Sequence, residues 1–235
     1  MAEREAEGGT GPTAEQVAGR LAEVRARVAA RGVPPGRVTV VAVTKGFGPS
    51  AVRAALGAGL VDLGENYAQE LVAKAAAVPG AARWHFLGPL QSNKLARLAP
   101  LVTLWQGVDN QAALEALARR APGAAVLVQV QLAPGPGRRG APPERAQELV
   151  AAGRDLGLAV RGLMAVGRPG ATAGEQARDF ASVAALAGRL GLGELSMGMS
   201  DDFEVAVAEG ATMLRLGRVL FGPRPPEARA GVAPR

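Results

Sequence analysis

The chain has 235 residues, 48% of them hydrophobic and 20% charged, with aromatics at only 3%, so it can build one large domain whose core must be aliphatic. Its net charge of +6 comes from scattered arginines with no block of five or more, which argues against a nucleic-acid binder with a basic stripe and aromatic platforms. The absence of cysteine and the single histidine, His85, exclude a disulfide framework, a thiolate metal site and a multi-histidine metal centre.

The opening stretch MAEREAEGGTGPT is polar and acidic, which does not fit a secretory signal, and no apolar run reaches the roughly 18 to 20 residues of a membrane span. The expectation is a cytoplasmic protein with no membrane and no nucleic-acid partner. Residues 1–12, with Gly8-Gly9 and Gly11-Pro12, read as a flexible tail, as do residues 225–235. From Thr13 a capping box with Gln16 opens a helix whose apolar face is Val17, Leu21, Val24 and Val28, closed by Gly32 and Pro34-Pro35.

The next stretch, Val38 to Thr44, is almost unbroken apolar or β-branched sequence, as a strand covered on both faces requires, and it ends in Lys45-Gly46. Further strands are predicted at Val61–Gly64, Trp84–Leu87, Val102–Gln106, Ala125–Gln131, Ala159–Ala165, Leu195–Met199 and Met213–Leu216. Helical segments alternate with them: around Val52 and Leu56, from Tyr67 to Val78, Asp109–Arg120, Pro143–Leu156, around Phe180 to Leu190, and Asp201–Glu209. Eight βα units with right-handed crossovers predict a single α/β (β/α)8 TIM barrel over 13–224 with an extra N-terminal helix and no second domain. A doubly wound sheet is the alternative.

In such a barrel the site lies at the carboxyl ends of the strands. Lys45 stands there, and Lys45, Lys74 and Lys94 are the only lysines among 27 basic residues. Arginine serves nearly everywhere a positive charge suffices, so a retained lysine points to an amine that must lose its proton and attack a carbonyl; chance retention is the plainer reading. Lys94 is the reserve candidate, and Lys74, in mid-helix among alanines, reads as surface.

Ser200 and the backbone amides of Gly217 and Arg218 could bind a phosphate without metal, although Ser200 alone would read as an N-cap. Asp201 and Asp202 would repel a phosphate and are expected to point away as capping groups. Arg215 lies on an inward strand face, where it needs either a carboxylate partner or an acceptor such as a ring nitrogen. His85, between Trp84 and Phe86, is either a hydrogen-bonded core group or an acid–base.

Gly64-Glu-Asn-Tyr67, WHFLGPLQSNK at 84–94, Arg161-Gly-Leu-Met164, MGMSDD at 197–202 and Arg215-Leu-Gly217 resemble the pyridoxal phosphate homeostasis proteins, the YggS/PROSC family, over residues 13–224. The resemblance implies an alanine racemase N-terminal-domain-like barrel carrying pyridoxal 5′-phosphate (PLP) as a Schiff base on Lys45. Ser200, Gly217 and Arg218 would hold the phosphate, Arg215 would face the pyridine nitrogen, and Asn66, His85 and Met164 would surround the ring. It also implies a monomeric carrier in vitamin B6 homeostasis, without established turnover, whose partners are PLP and apo PLP-dependent enzymes. Two departures stand out: Arg218 where relatives carry a hydroxyl or acidic residue, and Gly137-Arg-Arg-Gly140 where they carry a loop lysine. The alternatives are a PLP-dependent racemase or decarboxylase, for which Tyr67 is the sole tyrosine, and a scaffold in which the cofactor is structural.

Overall fold

The computed structural model describes residues 11–80, 82–133, 135 and 138–224, so the expected tails at 1–10 and 225–235 lie outside the described residues. Eight parallel strands close on themselves in sequence order: β1 (Thr39–Val43), β2 (Asp62–Glu65), β3 (Arg83–Phe86), β4 (Val102–Val108), β5 (Ala125–Val130), β6 (Ala159–Ala165), β7 (Glu194–Ser196) and β8 (Met213–Leu216). The closing pair sets Val41 of β1 against Arg215 of β8. A closed order excludes the doubly wound sheet, whose strand order must reverse.

Around the sheet run α1 (Ala14–Ala29), α2 (Pro49–Gly57), α3 (Ala68–Ala77), α4 (Ser92–Leu98), α5 (Gln111–Arg120), α6 (Pro143–Asp155), α7 (Ala173–Arg189), α8 (Phe203–Ala208) and α9 (Arg218–Phe221). α1 is the expected extra helix: Thr13 and Gln16 form a reciprocal capping box, and Val17, Leu21, Val24 and Val28 are buried against α2, α8 and α9. Among the described residues no helix is long and apolar enough to cross a membrane.

Strand alternation divides the core in two. Outward residues such as Ala42, Leu63, Val126, Leu163 and Leu214 join the helices in one large aliphatic layer. Inward residues Val41, Leu104, Ala125, Leu127, Met164 and Met213 form a small separate cluster. The same inward alternation carries buried polar groups, His85, Gln106, Ser196 and Arg215, in an interior that aliphatic side chains fill in many barrels of this type.

The structure moves several predicted boundaries. β7 is Glu194–Ser196, shorter than the predicted Leu195–Met199, because Gly198 takes φ +89, a conformation open essentially to glycine. The helix expected from Asp201 starts at Phe203, and α5 starts at Gln111 because the Asn110 side chain accepts from the Ala113 amide. β2 extends through Glu65, which turns that carboxylate outward toward α3. α9 was not predicted; four residues carry too little periodicity to be read.

Gly88, just after β3, is pressed against the backbone carbonyl of Asn66, where a Cβ would overlap the oxygen. Gly88→Ala should therefore destabilise the fold by about 1–3 kcal/mol as an overpacked site, measured as a lower urea midpoint at unchanged m.

Candidate cofactor-binding site

The carboxyl ends of the strands open into a cavity of about 870 Å³, lined by Lys45, Asn66, Met164, Ser200, Arg215, Gly217 and Arg218 together. Seven of the eight residues singled out by sequence thus meet in one place. His85 does not line the cavity.

Lys45 follows β1 at the first turn out of the barrel, and Gly46 beyond it takes φ +74. Burial is the main reason its ammonium loses protons more readily than the ordinary value of 10.5. The positive charges of Arg224 and Arg215 act in the same direction, and the negative charges of Glu65 and Glu70 oppose it. Among the described residues its amine makes no hydrogen bond or ion pair, so it is free to react.

Lys74 is not a surface residue. It is 3% exposed on the barrel-facing side of α3, and its ammonium donates to Glu65 Oε1 at 2.5 Å, Glu70 Oε2 at 2.7 Å and the Thr44 carbonyl at 2.8 Å. Thr44 Oγ1 donates to Glu65 Oε1 at 2.6 Å, and Glu70 Oε2 accepts from the Gly46 amide at 2.9 Å. The backbone on both sides of Lys45 is therefore tied to one buried ammonium. Its alanine neighbours concealed this in the sequence; the pairing Glu70 to Lys74, one turn apart, was the available signal.

Arg215 is 4% exposed and has no salt-bridge partner among the described residues. Nη1 donates to the Ser196 carbonyl at 2.5 Å and to Ser196 Oγ at 2.8 Å, and Nη2 donates to the Ala165 carbonyl at 2.7 Å. Burial pulls its pKa down to about 10, with the Asp202 charge opposing, so it remains a cation at neutral pH. The carboxylate partner considered from sequence is absent, and this guanidinium faces the cavity with Nε unpaired among the described residues.

Ser200 is not an N-cap of the helix behind it, since Asp202 occupies that position. Its Oγ accepts from the Val219 amide of α9 at 3.2 Å, which brings the turn before α8 against α9. Gly217 precedes α9 beside β1, where a Cβ would stand 3.2 Å from the Val43 carbonyl oxygen. Asp202 points away as expected, its Oδ1 accepting from the Met199 amide at 2.6 Å, but Asp201 does not: it lines the cavity, where the Arg218 guanidinium pairs with it. The Arg218 side chain stays exposed in that pairing.

Asn66 carries a buried Oδ1 with no hydrogen-bond partner among the described residues, and Met164 is a floor residue shared with the barrel interior. His85 lies below that floor, between Asp62 and Gln106, because strand alternation on β3 points it at the barrel axis, one residue before the strand's end. Gln129 and Arg224, which sequence reasoning passed over, also line the cavity, as do Arg138 and Arg139 of the loop motif. Arg139 is held by Asp109 at 2.7 Å; Gly137 of the loop motif lies outside the described residues.

Residues 19–225 match the family of the alanine racemase N-terminal domain. A pyridoxal phosphate homeostasis protein of Deinococcus radiodurans is 43% identical over 86% of this chain and 97% of its own length, and one of Pseudomonas aeruginosa is 39% identical over 90% and 95%. The chain belongs to this family. The solved structure of PipY from Synechococcus elongatus with PLP bound is 36% identical, superposes with a TM-score of 0.79, and is matched over 88% of this chain and 100% of that one.

Removing one partner from a buried ion pair is costly because the other charge is left unsolvated. Lys74→Met should lower stability by about 3–5 kcal/mol in urea denaturation, whereas Lys94→Met, at a half-buried site with no ion pair among the described residues, should stay within about 0.5 kcal/mol.

Proposed function

We propose that this chain binds pyridoxal 5′-phosphate covalently through Lys45 and acts as an intracellular carrier, buffering the cofactor and delivering it to apo PLP-dependent enzymes. The observation that carries the reading is a half-buried amine in one cavity with a buried cation, the first unpaired and the second without a carboxylate partner among the described residues. The donor set fits: Lys45 for an aldehyde, the amides at the start of α9 with Ser200 for a phosphate, and Arg215 for a ring nitrogen. The orphaned Asn66 Oδ1 awaits a donor. When bound, the cofactor would supply an aldehyde carbon, and Lys45 in its unprotonated form would be the amine that meets it, with one water released.

Arg215 donates and cannot accept, so it keeps a facing ring nitrogen unprotonated and weakens the ring as an electron sink. That favours holding over turnover. The neighbouring reading, a racemase or decarboxylase, needs an acid or base opposite Lys45. Tyr67 is 39% exposed at the start of α3 and does not line the cavity, which speaks against that role. The carrier is further proposed to be a monomeric, cytoplasmic single barrel over residues 13–224, tested by sedimentation of the purified chain.

Loaded protein should show a visible absorption band that borohydride abolishes, and peptide mass should place the reduced adduct on Lys45. Lys45→Ala should lose the band, and an adduct that persists on Lys94 would overturn the assignment. Because burial lowers the Lys45 pKa, labelling of its amine against pH should have its midpoint below 10.5, and a midpoint at or above that value would contradict a reactive amine. Transfer of cofactor to an apo-enzyme without loss of fold separates a carrier from a scaffold that needs PLP to stay folded. Deuterium exchange at the α-carbon of alanine, abolished in Lys45→Ala, would favour the enzyme.

A further inference from the structure

Below the cavity floor, polar side chains from five strands are linked end to end. Arg215 Nη1 donates to Ser196 Oγ at 2.8 Å, and Ser196 Oγ donates to Gln106 Oε1 at 2.6 Å. Gln106 Nε2 is 2.7 Å from His85 Nδ1, and His85 Nε2 is 3.1 Å from Asp62 Oδ1. Arg83 completes the line with donations from Nε and Nη2 to the two Asp62 oxygens at 2.8 and 2.6 Å. His85, Gln106 and Ser196 are at most 5% exposed, whereas Arg83 stands at the amino-terminal mouth of the barrel with a side chain 59% exposed. The chain of contacts therefore crosses the barrel from the outer face to the cavity.

Its direction follows from Asp62. Burial would raise the Asp62 pKa, but hydrogen bonds from His85 and Arg83 lead the causes that hold it below the ordinary value, and Arg83 donates to both of its oxygens, so the group is a carboxylate that can only accept. The His85 nitrogen facing it must carry a proton. In a neutral ring Nδ1 is then the acceptor, which turns the Gln106 amide so that its NH2 meets the ring and its carbonyl meets Ser196. The hydroxyl proton of Ser196 points at Gln106, leaving a lone pair for Arg215. Reversing the Gln106 amide would set two acceptors, Nε2 and Asp62, against each other.

We propose that His85 and Gln106 are positioning residues for Arg215, acting through Ser196 by a one-way line of hydrogen bonds anchored on Asp62. The reading of Arg215 as the cofactor-facing group rests on the proposed function; the direction of the line does not. A cation with no carboxylate in contact needs every surrounding lone pair correctly aimed, and a serine hydroxyl, free to rotate, aims its lone pair only if its own proton is committed elsewhere. That commitment is what the line supplies.

His85 is the sole histidine, so its ring nitrogens give unambiguous signals in a long-range 1H–15N correlation of the full chain. The expected result near neutral pH is one neutral tautomer with the proton on Nε2. A proton on Nδ1, an averaged mixture or an imidazolium would overturn the proposal, with or without cofactor.

In PLP titrations, His85→Leu should bind about three- to tenfold more weakly, because it strands the Gln106 amide. His85→Asn presents a carbonyl oxygen near the Nδ1 position and should bind within about twofold of the parent. Equal losses in both variants, or no loss in either, would overturn the line as a positioning device and leave it merely packing. If the unmodified chain binds no PLP, the proposed function fails, and the tautomer still decides the direction of the line.

Discussion

A buried guanidinium with no carboxylate in contact among the described residues is the constraint around which this barrel is arranged. Arg215 cannot shed its charge near neutral pH, and burial makes that charge costly unless lone pairs surround it. The Ala165 carbonyl and the carbonyl and hydroxyl of Ser196 provide them. All three belong to strands β6 and β7, so the cation holds the adjacent ends of three strands in register at the cavity floor.

The same cation shapes the chemistry of the neighbouring strand. Closure sets β1 beside β8, and the positive charge of Arg215 adds to burial in favouring the neutral form of Lys45. Behind Lys45 the opposite arrangement holds. Glu65 and Glu70 surround Lys74, and the three together clamp the Thr44 carbonyl and the Gly46 amide. Of the two lysines in this region one is saturated with acceptors and the other has none among the described residues. Lys74 on α3 is the structural ammonium, whereas Lys45 beyond the end of β1 lines the cavity.

The polar line through the barrel gives His85 a place that neither of its sequence readings described in full. It is a hydrogen-bonded interior residue, and the groups it joins end at Arg215. A barrel filled with aliphatic layers would bury more apolar surface, but could not aim a hydroxyl. Gln106 and Ser196, each with both donor and acceptor capacity, can transmit an orientation over the distance that separates Asp62 from the cavity.

The amino-acid sequence alone determined the eight alternating units, the amphipathic helix opened by Thr13, and the set of strand-end residues from Lys45 to Arg218, because these depend on local periodicity and on residue chemistry read in chain order. Tertiary structure decided the burial of Lys74, the missing partner of Arg215, the displacement of Ser200 from a helix cap to α9, and the depth of His85. Each of these depends on which groups from distant strands and helices converge, and closure of the barrel brings together residues as far apart as Asp62 and Arg215. Spacing along a chain carries no information about such contacts.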